Sequence, residues 1–98
     1  MHDPSHWHAA MPYALAWRRF DEEVVIYNDS TGSTHQLGAL AGEVMISLLQ
    51  NASGLAFPAL LDDVTSRIDF AGSIDVAAEV QRTLDELSDL QLVSRSTA

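Results

Sequence analysis

Residues 15–49 leave the chain few ways to fold: LAWRRFDEEVVIYNDSTGSTHQLGALAGEVMISLL. Val24, Val25, Ile26 and Tyr27 are β-branched or aromatic, and such side chains suit a pleated, half-buried surface. Asn28, Asp29, Ser30, Thr31, Gly32 and Ser33 are turn formers in succession, so the chain reverses there. Thr34, His35, Gln36 and Leu37 return as a short third strand with Leu37 pointing inward. Upstream, Tyr13, Leu15 and Trp17 alternate with Ala14, Ala16 and Arg18, the spacing of a first strand with one buried face. Phe20, Asp21, Glu22 and Glu23 supply a polar hairpin link. Trp17 is expected to pack in the core or against the sheet. Gly38 ends the third strand, and apolar residues then recur at helical spacing. Three strands therefore feed one helix.

That helix is expected over residues 39–51. Leu40, Ala41, Val44, Met45, Leu48 and Leu49 form a broad apolar stripe, with Glu43, Ser47 and Gln50 off it. Asn51 to Gly54 end it, with a glycine able to take positive φ. Pro58 sits well at the first position of a second helix, where a missing N–H is harmless. Leu60, Leu61, Val64 and Ile68 give that helix its stripe, and Asp62 and Asp63 favour its early turns. Ser73 is the expected N-cap of a last helix with Asp75 in its first turn. Val76, Ala77, Val80, Leu84, Leu87 and Leu90 carry its apolar rhythm. Gln91, Leu92, Val93 and Ser94 read as a short terminal strand or extended end. The predicted fold is α+β and winged helix-turn-helix-like: a three-stranded antiparallel sheet followed by three helices, β-β-β-α-α-α. Residues 1–12 read as a flexible arm, 13–94 as the domain, and 95–98 as a frayed end. Trp7 is the residue of the arm suited to fold back on the body or to take part in self-association.

Charge narrows the function classes. The chain has 98 residues and a formal net charge of −9, and its five basic residues are all arginine. An acidic domain repels phosphate backbones, which disfavours nucleic acid as a partner and modestly favours basic or amphipathic ones. A winged-helix DNA reader would carry several basic residues on its recognition helix; here that helix has only Arg82 among several acids. There is no cysteine, so disulfides and thiol chemistry are excluded. No apolar run approaches the ~20 residues of a membrane span, and no signal-peptide pattern opens the chain, so a cytoplasmic location is expected. His2, His6 and His8 suggest a metal site, but at these positions the reading is incidental, weak binding. Asp62 with Asp63, and Asp85 with Glu86, resemble catalytic carboxylate pairs, yet helical neighbours do not face each other, so a solvated face is expected. His35 reads as an ordinary half-exposed strand residue. No nucleophile–base pair, P-loop, GxGxxG or HExxH occurs, so neither an enzyme nor a cofactor is indicated.

The run Trp17-Arg18-Arg19-Phe20-Asp21-Glu22-Glu23-Val24-Val25-Ile26-Tyr27-Asn28, then Ser30 to Leu37, then an apolar helix ending in Leu48-Leu49, resembles the PqqD-like family. The ending Thr83-Leu84-Asp85-Glu86-Leu87-Ser88-Asp89-Leu90-Gln91-Leu92-Val93 is similar to that family's closing pattern. The likeness covers roughly residues 13–93. Gly38 stands where the family often has Asn or Asp, and Gln91 where it commonly has glycine. The resemblance implies a small non-enzymatic module that recognises the leader segment of a ribosomally made precursor peptide and presents it to a modifying enzyme. The closest branch in pattern comprises small stand-alone members that accompany an HPr-kinase-related protein.

Elementary physics offers such a module a means. A short third strand at a sheet edge leaves N–H and C=O groups for an extended peptide to pair with. Thr34, His35, Gln36 and Leu37 form that strand; Val76, Glu79, Val80, Thr83 and Leu84 are the candidates for a facing helical wall. The acidic surface suits a precursor with basic residues near the docked segment. Two other classes compete. One is a winged-helix DNA-binding regulator; the other is a structural or dimerisation subunit, since open edges also pair with themselves.

Overall fold

Residues 15–28 form a tight hairpin because the sequence switches from a strand pattern to two polar residues and back. In the computed structural model, which describes residues 6–10, 15–21, 23–51, 53–68 and 75–96, β2 (Leu15–Phe20) pairs antiparallel with β3 (Glu23–Asn28). Asp21 takes the left-handed conformation at the corner, with φ of 53°, which aspartate tolerates better than most residues. At the next turn the Asn28 side chain accepts a hydrogen bond from the Ser30 N–H (2.9 Å), and Gly32 has φ of 77°. The chain returns as β4 (Ser33–Leu37), giving a sheet of order β2-β3-β4. Val24, Ile26 and Leu37 point from it into the core.

Helix α1 (Ala39–Leu49) crosses the inner face of this sheet, followed by α2 (Phe57–Thr65) and α3 (Val76–Asp89). The expected three-stranded antiparallel sheet with three helices is thus present. Helix α1 is buried almost all round, from Gly42 to Leu48. Its stripe was expected to leave Glu43 and Ser47 in solvent; both are buried, at 9% and 0% exposure. The reason is that α1 has neighbours on every side: β3 and β4, α2, α3, and a strand near the N-terminus. Gly42 is needed for this approach, because a Cβ there would lie 2.6 Å from the Val24 Cγ2.

That further strand corrects the reading of the N-terminal arm. β1 (His6–Ala9) lies at the centre of a second sheet, ordered β5-β1-β6, between β5 (Leu55–Ala56) and β6 (Val93–Ser96). Both pairings are antiparallel, with Trp7 opposite Leu55 on one side and Arg95 on the other. Trp7 and Ala9 alternate inward and are each 6% exposed. The Arg95 guanidinium sits over the Trp7 ring, 5.6 Å from its centroid, a cation–π geometry. Arg95 and Ser96 are therefore paired, not frayed. Residues 1–5, 11–14 and 97–98 lie outside the described residues.

Smaller differences follow from local geometry. Trp17, expected to be packed, is 40% exposed; it sits on β2, an edge strand of its sheet among the described residues. Ser73 lies outside the described residues, and α3 is capped by Asp75, whose carboxylate accepts from the Ala78 N–H at 3.1 Å. Pro58 falls in the first turn of α2 behind Phe57. Leu90, expected in the apolar rhythm, follows the last turn of α3 and is 46% exposed. Gln91 has φ of 62°, and this left-handed link lets the chain leave α3 with the Leu92 N–H bonding back to the Leu87 carbonyl at 2.9 Å. Glycine takes that conformation without steric cost. Gln91→Gly is expected to raise unfolding stability by up to about 1 kcal/mol; urea melts of the two proteins check it.

Candidate functional site

The candidate peptide site starts from β4, which pairs with β3 along one side and, among the described residues, has no strand on the other. Alternate residues of an antiparallel edge strand turn their N–H and C=O groups away from the sheet. Its side chains alternate too. Thr34 and Gln36 are exposed on the outer face, His35 is half-buried on the inner face, and Leu37 is buried at 6% exposure. Gln36 is braced by its side-chain hydrogen bond to Glu23 across β3. The four strand residues named from sequence therefore stand together on one edge.

The helical candidates divide. Val80 and Leu84 are 0% exposed and belong to the core, and Thr83 is 7% exposed, its hydroxyl donating to the Glu79 carbonyl at 2.8 Å. Burial removes these three from the surface of any groove. Glu79 remains accessible and forms an i,i+3 ion pair with Arg82. Val76 is partly exposed, but it lines an open hollow of ≈ 330 Å³ with Pro58, Leu61, Asp62 and Thr65, on the side of α3 that faces α2. Periodicity marks an apolar stripe without saying which members lie deepest, so sequence reasoning assigned core residues to the wall.

What it missed is a polar network beneath the sheet. Glu43 on α1 accepts from Arg19 Nη1 of β2 (2.7 Å) and from Arg67 Nε beyond α2 (2.8 Å). Arg67 also donates to Asp63 Oδ2 (2.9 Å), to the Glu43 carbonyl (3.2 Å) and to the Ser47 hydroxyl. Ser47 in turn donates to Asp63 Oδ2 at 2.6 Å. Among the described residues, no buried side-chain polar atom lacks a partner. Burial pushes the Glu43 carboxyl upward, but hydrogen bonds and charge from Arg19 and Arg67 outweigh it and hold the carboxyl below its usual value. The hydrogen bond from Ser47, then that from Arg67, does the same for Asp63. With all five side chains engaged, this cluster is a fastener between sheet and helices. Two signals point to it: the Glu43/Ser47 spacing, i,i+4 within α1, and the Asp63/Arg67 spacing, i,i+4 from α2 into the turn that follows it.

Among the described residues, no group of three or more His, Asp or Glu side chains is placed to hold a metal. His2 is outside them. His6 and His8 share one face of β1, are half-buried, and are both engaged by the protein. The His8 ring rests against Gly54, where a Cβ would come within 2.5 Å of it. No described helix is long and apolar enough to cross a membrane.

No protein-family model matches the sequence, and no curated protein matches it. The fold is like that of TbiB1, solved in complex with the TbiA(beta) leader peptide. The TM-score is 0.64 at 19% sequence identity, over 89% of this chain and 94% of that one. At this identity the likeness is one of fold.

The fastener makes a direct prediction. Both carboxyls titrate lower in the folded state than in the unfolded one, so the unfolded chain takes up more protons as pH falls. Their stabilisation is complete above roughly pH 5 and is lost as pH drops through the folded values. Glu43→Gln should cost about 2 kcal/mol at pH 7 and flatten the acid limb of stability, measured by urea melts from neutral to acid pH.

Proposed function

We propose that this chain is a non-catalytic peptide-binding module. It captures the leader segment of a ribosomally made precursor as an added strand on β4 and presents it to a modifying enzyme. The observation that carries the reading is an edge strand with an open outer side, in a fold shared with a protein solved in complex with a leader peptide. Main-chain pairing with β4 supplies register, and the side chains beside it supply selectivity. Thr34 and Gln36 flank the outer side of the docked segment, with His35 and Leu37 beneath it. On α3 the accessible candidate is Glu79. The net charge of −9 favours a leader with basic residues near the docked stretch. A cytoplasmic location suits a module that meets its precursor as it is made. The HPr-kinase-related partner implied by resemblance draws no support from the fold likeness, so the partner proposed is the modifying enzyme.

A DNA-reading role draws no support from α3. Its arginine, Arg82, is tied to Glu79, and the remaining charged side chains of that helix are acidic.

Two proline variants test strand addition. His35 and Gln36 are neighbours on β4, so one turns its N–H toward β3 and the other turns it outward. Proline at the outward position is tolerated on an edge strand, whereas proline at the inward one breaks the sheet. The outward variant should fold as wild type and bind the leader segment about tenfold more weakly. An amide NMR titration with that segment, with duplex DNA as control, should shift residues 33–37 for peptide alone. Unchanged affinity in the folded outward variant, or shifts elsewhere, would refute docking on β4.

A further inference from the structure

The outer face of the β2-β3-β4 sheet has features that peptide capture on its edge does not use. By register, Ala16, Arg18 and Phe20 of β2 stand on this face with Val25 and Tyr27 of β3. Phe20 is 53% exposed and Tyr27 43%, and Trp17 at the rim is 40% exposed. These six residues line a shallow hollow of ≈ 300 Å³. Of the large hydrophobic side chains exposed among the described residues, only Leu90 lies elsewhere. Exposed aromatic side chains lining one hollow on a small acidic domain mark an interaction surface.

Arg18 says what kind. Arg19 and Arg67 are tied to Glu43, Arg82 to Glu79, and Arg95 to the Trp7 ring. Among the described residues, Arg18 alone of the arginines has no ion pair, side-chain hydrogen bond or ring contact. It is exposed in the middle of the aromatic patch, opposite Val25. An exposed arginine lining one hollow with Phe20, Tyr27 and Trp17 has the composition of an interface hot spot, and its guanidinium N–H donors suit a carboxylate.

We infer that this face docks a partner protein surface that presents a carboxylate among apolar side chains, and that the partner is the enzyme acting on the captured peptide. The naming of the enzyme rests on the peptide-delivery reading; the chemistry of the surface does not. A second copy of this chain fits poorly. Each copy has a net charge of −9, and a two-fold axis through the patch sets Arg18 against Arg18. Phosphate backbones and anionic membranes are repelled by the same net charge. Strands lie about 4.8 Å apart, so a leader strand added to β4 would place its outward side chains on the order of 10–15 Å from Arg18, on the same face. The enzyme would then meet the Arg18 patch and the presented peptide together.

The test compares wild type with Arg18→Glu and with Arg18→Glu/Tyr27→Ser, each checked for fold by circular dichroism. Binding is measured to the leader segment and, separately, to the purified modifying enzyme. Leader affinity should stay within about twofold of wild type, while enzyme affinity falls about tenfold or more. Titrating labelled wild type with the enzyme should shift the amides of Arg18, Val25 and Tyr27. Loss of enzyme binding in the variants, with no leader binding in any protein, would support this surface and defeat the delivery reading. Enzyme affinity unchanged in the double variant, or no enzyme binding by wild type, would overturn the proposal. If the double variant unfolds, Arg18→Glu alone and the amide shifts decide.

Discussion

The structure depends on the burial of helix α1. A helix apolar on one stripe needs one covering surface; α1 is covered on all sides, from Gly42 to Leu48. Every other element is placed by that demand. The inner face of β2-β3-β4 covers one side, α2 and α3 cover others, and β1 closes the remainder. Gly42 permits the close approach to Val24. The cost of such burial falls on Glu43, because an unpaired carboxylate there would be strongly destabilising. Two arginines, Arg19 from β2 and Arg67 from beyond α2, meet it, and in doing so they lock the sheet to the helical layer.

This arrangement separates stability from recognition. The inner face of the sheet is committed to α1 and its salt-bridged fastener. Among the described residues, the outer side of β4 and the outer face of β2 and β3 are left uncommitted. Backbone groups on the edge suit an extended peptide; aromatic side chains around Arg18 suit a folded protein surface. The two are adjacent but built from different atoms, so each can be altered with the core intact.

Gln91 shows how a likeness read from sequence acquires a physical reason. The resemblance marked it as standing where glycine is common, and the structure gives it a left-handed φ at the exit from α3. Gly38 behaves differently: α1 begins without a side-chain cap, so the helix start relies on packing instead.

Local pattern determined the three strands, their turns, the three helices and the inward position of Leu37, because alternation, turn formers and helical period act between near neighbours. It also placed β4 at an edge, since a short polar strand is poorly suited to the middle of a sheet. Tertiary structure alone decided the rest. His6–Ala9 is too short for its alternation to signal a strand, and it becomes one only because residues 55–56 and 93–96 arrive on either side. Val80 and Leu84 look the same in sequence as residues of a groove wall, and only the packing of α3 against α1 puts them out of reach. Glu43 and Arg67 are 24 positions apart, and Arg18 is distinguished from its neighbour Arg19 only by which face of a strand it occupies. Sequence carries short-range periodicity; partners far apart along the chain are chosen by the fold.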